Sequence, residues 1–349
     1  MKKRPAFNFM ATGIGSVPWS DVDTTCEKIN NFLPSIPFWP QLVKRSPFED
    51  MNVQFTEGLP LLKIDSEEKS ITASTVDMEE GLFEFYNHYL SDDTEYFAIS
   101  REYAPGLYKQ VDLIARTSDL SCAFIKGHLT GPVTFAASVK DNEGKSILGS
   151  PDLLEAYTKG LAIKALWQVR ELEKSGKRAI IFLDEPYLSG FGSAFLPIER
   201  HQVIKLLKEV IDYLRDKTNC LTGIHCCGNT DWSMIVDSNP DIINFDAFSF
   251  MDYFLLFRDE IKGFVEKGGV IAWGIVPTGD SAGSGDIDEL YKRLNNGIDR
   301  LCGMGLERER VSEGSILTPA CGMGTMNEEE SDTVLKLLSG LSERMSSDG

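Results

Sequence analysis

From residue 150 onward, short apolar runs alternate with longer amphipathic stretches, and this rhythm constrains the fold more than any other feature of the chain. Ser150-Pro151 reads as the N-cap and first turn of a long helix reaching roughly Lys174 and closed by Gly176. The apolar run 179–183 follows and ends in Asp184-Glu185-Pro186. A helix over 198–216 places Val203, Leu206, Leu207, Val210, Ile211 and Leu214 on one stripe at i, i+3, i+4 spacing. The pattern continues as strand 221–225, a short helix near 231–237, strand 241–245, helix 254–267, strand 270–276, helix 286–302, strand 311–317 and helix 327–345. Parallel strands need a crossover, so buried strands separated by helices imply a βαβ series. Polar residues and glycines crowd the end of nearly every proposed strand, where α/β barrels build their sites. The expected fold is therefore a (β/α)8 TIM barrel, with an open doubly wound sheet as the other arrangement of such units.

The first half is less regular. The stretch 10–16 reads as a first strand, 20–33 as its helix, and 123–128 as a fourth strand, while 40–115 is expected to form long loops over the barrel mouth. No repeat, linker or low-complexity segment interrupts the chain, and 349 residues suit one barrel domain over 1–349. A formal net charge of −18 repels phosphate backbones and anionic lipid, which argues against nucleic acid and membrane surfaces as partners. The start, MKKRPAFNFM, has no apolar segment behind its basic residues, so no secretory signal is expected, and no run approaches the ~18 apolar residues of a membrane span. Seven cysteines, two of them adjacent, suit a reducing cytoplasm in which thiols serve metals or chemistry.

The cysteines carry the chemistry. In His225-Cys226-Cys227, alternate residues of a strand share a face, so His225 and Cys227 can point to one place while Cys226 points away. Cys321 lies at the end of the last expected strand, and in a closed barrel the sixth and eighth strands deliver side chains to the same mouth. One imidazole and two thiolates suit zinc, with a fourth position left for another ligand such as a substrate thiol, whose pKa the metal would lower. Spacing alone leaves a second reading standing, in which all three are buried core residues, as free cysteines often are.

Several segments resemble, in order, the catalytic barrel of cobalamin-independent methionine synthase and the superfamily it shares with uroporphyrinogen decarboxylase and the methylcobalamin:coenzyme M methyltransferases. They are Gly13-Ile14-Gly15-Ser16 with Pro18, the run from Lys126 through Gly131-Pro132-Val133-Thr134, Asp184-Glu185-Pro186, His225-x-Cys227 and Pro319-Ala320-Cys321-Gly322. The resemblance implies a zinc-dependent methyltransferase that activates a small-molecule thiol as a zinc thiolate. It implies zinc held by His225, Cys227, Cys321 and an acid, for which Asp246 stands where the family more often has Glu. It implies that Ile14, Ser16 and Asp184 line the substrate pocket, with Glu185 serving either the pocket or the barrel.

Two departures shape the expected substrates. Where the family has a second acid for the substrate amine, the best match is Gln41, which suggests a thiol other than homocysteine. Folate-dependent members carry a proton-donating His on the seventh strand, and Val276 stands there. A methyl-corrinoid leaves without needing that proton, so methylcobalamin or a corrinoid protein is the expected donor. The alternatives are a methionine synthase using methyltetrahydrofolate, a uroporphyrinogen decarboxylase-like enzyme, for which Lys44-Arg45 is the sole basic pair in the right region, and a non-enzymatic zinc barrel that partners a corrinoid protein. His128 is read as a satisfied histidine or a pocket residue, His88 and His201 as surface residues, and Trp39, Trp232 and Trp273 as core or mouth aromatics. Glu328-Glu329-Glu330 reads as the acidic first turn of the last helix, and Gly283-Ser284-Gly285 as a loop and not a phosphate cradle.

Overall fold

The computed structural model describes residues 5–117, 122–194, 196–279 and 285–347. In chain order its strands are β1 (Met10–Ala11), β2 (Ser16–Val17), β3 (Gln41–Leu42), β4 (Leu62–Asp65), β5 (Ser70–Ala73), β6 (Phe124–Thr130), β7 (Lys140–Asp141), β8 (Arg178–Asp184), β9 (Leu221–Cys226), β10 (Ile242–Phe245), β11 (Val270–Val276) and β12 (Ser315–Pro319). The helices are α1 (Val22–Phe32), α2 (Met78–Leu90), α3 (Pro105–Arg116), α4 (Pro132–Ser138), α5 (Pro151–Glu173), α6 (Arg200–Lys217), α7 (Trp232–Asp237), α8 (Ala247–Phe254), α9 (Arg258–Glu266), α10 (Ile287–Gly303), α11 (Arg308–Glu313) and α12 (Glu328–Ser347).

Seven strands form one all-parallel sheet in the order β1-β12-β11-β10-β9-β8-β6. The sheet is curled. Phe124, Ile180, Leu221, Ile242, Val270 and Ile316, from six different strands, meet with Phe7 and Ile36 in one buried cluster. A flat sheet would hold β1 and β6 about 29 Å apart, six spacings of ~4.8 Å. Yet Phe7, just before β1, has its ring 5.1 Å from that of Phe124 on β6. Between these edges runs 37–42. Lys126 N donates to Pro37 O (2.9 Å) and Trp39 N to Lys126 O (3.2 Å), while Gln41 N donates to Gly15 O (3.0 Å) and β3 pairs parallel with β2.

The outer face of the sheet packs on the helices. α5 is buried on nearly every side because it lies on β6 and β8 and is itself overlain by α2 and α6. It comes so close to β6 that a Cβ at Gly127 would sit 1.9 Å from Gln168 Oε1, so a larger residue there would push the Gln168 side chain aside. The expected acidic first turn of α12 is present, and Gly283 and Ser284 lie outside the described residues. No helix among those described is long and apolar enough to cross a membrane.

Three expectations need correction. The segment 40–115 is not only loop: it holds the β4–β5 hairpin, with β7 added parallel to β5, and the helices α2 and α3. α3 starts at Pro105-Gly106, which resembles a turn in sequence, because Pro is tolerated in the first helical turn and Gly106 packs where a Cβ would be 2.2 Å from Pro40 O. The helix expected over 254–267 starts only at Arg258, because residue 254 still ends the separate helix α8, and the strand expected over 311–317 begins only at Ser315, after the short helix α11.

Candidate metal centre

β9 delivers its residues as the alternation requires. His225 is buried, with Nδ1 2.5 Å from Asn244 Oδ1 on neighbouring β10. Cys226 points the other way into the helix-facing core, where burial pushes its thiol up to about 12 and its Sγ contacts Gly228 O. Cys227 follows the strand end, and Cys321 follows the end of β12. The ligand atoms of His225, Cys227 and Cys321 all lie within 4.8 Å of one another. β9 and β12 are three positions apart in the sheet, about 14 Å if it were flat, so the curl itself makes the meeting possible.

The three groups lie close enough to shift one another's protonation. The bond between the thiols draws Cys227 below its ordinary value, and the same bond together with burial pushes Cys321 above it. Burial opposes charge on His225, but the Cys321 thiol, the Asp184 carboxylate and Asn244 outweigh it and raise the imidazole. One imidazole and two sulfurs form a donor set that fits a borderline-soft metal ion.

Asp246 does not join this group. Its Oδ1 accepts from Ser249 N at 2.8 Å and caps α8, and it is not among the residues whose ligand atoms lie within 4.8 Å of one another. Glu185 is also occupied elsewhere. It accepts from Val133 N (3.0 Å), Thr134 N (2.7 Å) and Thr134 Oγ1 (2.6 Å), so its carboxylate fastens the start of α4 and does not face the sulfur cluster. Asp184 differs from both. It stands in register with His225, is buried, and its Oδ1 has no partner; burial raises it to about 6 against the pull of His225 and Lys126.

The first-strand residues come to the Cys321 loop. Ser16 O accepts from Met323 N (2.9 Å), Ser16 Oγ accepts from Gly324 N (3.4 Å), and a Cβ on Gly322 would lie 2.2 Å from that Oγ. Gln41 pairs in register with Ser16, and its Nε2 donates to Gln54 Oε1 at 2.7 Å. Ile14 offers its carbonyl to Lys126 Nζ at 2.5 Å.

Sequence reasoning missed Lys126 and Asn244. Lys126 is fully buried on the inner face of β6, over the Phe182 ring, and burial pulls it down to about 8 although Asp184 draws it back. His128, two residues on, stacks on Trp39 with centroids 3.9 Å apart, and neither of its ring nitrogens has a partner. Burial, and next the charge of Lys126, hold it well below the usual histidine value. Trp39, Trp232 and Trp273 are buried in the core and His201 is exposed, but His88 is half-buried, stacked on Tyr96 and paired with Asp93. Lys44 and Arg45 are committed to Met326 O and Glu49.

No protein-family model matches the chain, and no curated protein sequence matches it. Among solved structures it is similar to a B12-independent methionine synthase from Shewanella sp. W3-18-1 in complex with selenomethionine, at 21% sequence identity and a TM-score of 0.47, over 68% of this chain and 67% of that chain. At that distance no site role is carried over from it.

Proposed function

We propose that this chain is a zinc-dependent methyltransferase acting on a small thiol. The single observation that carries the reading is the convergence of His225, Cys227 and Cys321 within 4.8 Å at the ends of strands that are not neighbours. In this reading 37–42 is the eighth strand of one closed (β/α)8 barrel, supported by its backbone bonds to edge strand β6 on one side and to Gly15 and β2, just after β1, on the other. The sheet's carboxyl ends then form the active face, as barrels require.

His225, Cys227 and Cys321 would hold the ion, and with Asp246 committed to α8 the fourth position falls to the substrate sulfur. When bound, zinc supplies Lewis acidity that lowers the pKa of a coordinated thiol, so that a sulfur nucleophile exists at neutral pH. Asp184 Oδ1, buried and lacking a donor, would receive an ammonium or other hydrogen-bond donor of the thiol substrate. Ser16 and Ile14 would wall the pocket beside the Cys321 loop, and Gln41 would add a neutral amide oxygen. Val276 is a buried apolar residue at the end of β11, a setting that favours a methyl donor needing no proton, such as methylcobalamin or a corrinoid protein. All seven cysteines are free, in keeping with a reducing, cytoplasmic location.

The test is metal analysis followed by thiol addition. Protein grown with zinc should carry one ion per chain, and Cys321→Ser should lose it. Cobalt-substituted protein should change its visible spectrum when a thiol is added, and with methylcobalamin the corrinoid spectrum should shift as methyl leaves. A metal-free wild type would end the proposal. Metal that never responds to thiols would reduce it to a structural site.

A further inference from the structure

His225 can present only one ring nitrogen to the thiols, and the structure shows what chooses it. Its Nδ1 lies 2.5 Å from Asn244 Oδ1. The Asn244 amide has its own orientation fixed, because Nδ2 donates to Ala272 O at 2.8 Å and to Thr318 Oγ1 at 2.8 Å. A backbone carbonyl only accepts, so the group facing Ala272 must be the NH2. Oδ1 therefore has no hydrogen to give, and the hydrogen in the contact with His225 must sit on Nδ1. In the neutral ring the lone pair then falls on Nε2, the nitrogen left free for a metal ion beside the sulfurs.

From this geometry we infer that Asn244 is a positioning residue, anchored by Ala272 and Thr318, which locks His225 in the tautomer whose Nε2 is offered to the metal. The inference rests on the proposed zinc reading. All the residues are buried: Asn244 and Thr318 are fully enclosed and His225 is 3% exposed, so water does not compete for these bonds. The network spans β9, β10, β11 and β12. It thereby ties the strand that supplies two ligand candidates to the strand that precedes the third. Orienting partners of this kind are worth roughly 10–100-fold in metal affinity.

Two measurements test it. The chain has four histidines, so nitrogen-15 labelling of histidine gives few signals, and His225→Ala assigns the one that matters. Wild type should show a protonated Nδ1 at His225, with Nε2 shifting when zinc is added. Zinc affinity, by competition with a chromophoric chelator, should fall about 10–100-fold in Asn244→Leu. Asn244→Asp, which keeps an oxygen for the Nδ1 hydrogen, should restore most of it. A bare or metal-bound Nδ1, or an Asn244→Leu chain as tight as wild type, would overturn the inference. The nitrogen measurement needs no Asn244 variant, so poor folding of the Leu chain leaves it decisive. A wild type that takes up no zinc sinks the functional reading separately, and the tautomer of the metal-free chain then decides the role of Asn244 by itself.

Discussion

Replacing Glu185 should damage the fold and leave the metal site chemically intact. α4 begins with Pro132, which has no amide hydrogen, so Val133 N and Thr134 N are its first donors, and both go to Glu185. The residue in the N-cap place, Gly131, cannot do the work, and a Cβ there would lie 2.2 Å from Glu185 Oε1. In Glu185→Ala these two buried amides lose their acceptor, at about 1–3 kcal/mol each. The Thr134 hydroxyl can turn, so it is not counted. The vacated volume adds to the loss, giving a destabilisation of about 4 kcal/mol. The charge has its own signature. Burial first, against the three bonds, raises this carboxyl from 4.5 to about 7. The folded state then holds more protons than the unfolded one between those values, so this group's stabilisation is full below pH 4.5 and declines as pH rises to about 7. Urea unfolding of wild type and Glu185→Gln from pH 5 to 8, followed by circular dichroism, should show a difference that shrinks toward neutrality and then levels off. If Glu185→Ala unfolds within 1 kcal/mol of wild type, or keeps its stability while losing thiol affinity, the residue belongs to the pocket and the capping argument fails.

Other substitutions probe other parts. Lys164 is fully buried, donates to Phe97 O at 2.8 Å, and is pulled down by burial from 10.5 to about 7. Between those values the unfolded chain binds the extra proton, so its contribution improves with pH by about 1.4 kcal/mol per unit; Lys164→Met should flatten that slope between pH 7 and 9, and parallel melting curves would refute it. Asp246→Ala should lower stability by about 1 kcal/mol through the lost cap and keep one zinc per chain, whereas zinc loss on dialysis would restore it as a ligand. Asp184→Asn should weaken thiols that carry an ammonium by about 10–100-fold. It should spare thiols without one, as calorimetric titration can show, and an equal loss for both kinds would remove the ammonium assignment.

The second half of the fold was legible because its strands and helices differ in period and length, and because Gly176 and Pro151 punctuate α5 as their chemistry demands. The first half was not. β1, β2 and β3 are two residues each and pair with partners distant in sequence, and β5 is completed by β7, so no local pattern encodes them. At the site, His225, Cys227 and Cys321 could be read from alternation and from position at strand ends. Lys126 and Asn244 could not, because both faces of these strands are buried and a polar residue in the run does not announce which face it occupies. Asp246 is ambiguous for a related reason. A carboxylate just after a strand and just before a helix can serve either, and whether it caps the helix depends on the backbone turn at that point.

Cys226 and Cys227 are chemically alike and adjacent, yet the pleat of β9 makes them unequal, one turned into the hydrocarbon layer and one toward its imidazole neighbour. The same pleat binds the fates of His225 and Cys227 together. A slip of one residue in this strand would swap both at once, presenting Ile224 and Cys226 in their stead. Two of the three donors thus stand or fall as a single unit of register, while Cys321, on another strand, can be lost or gained alone.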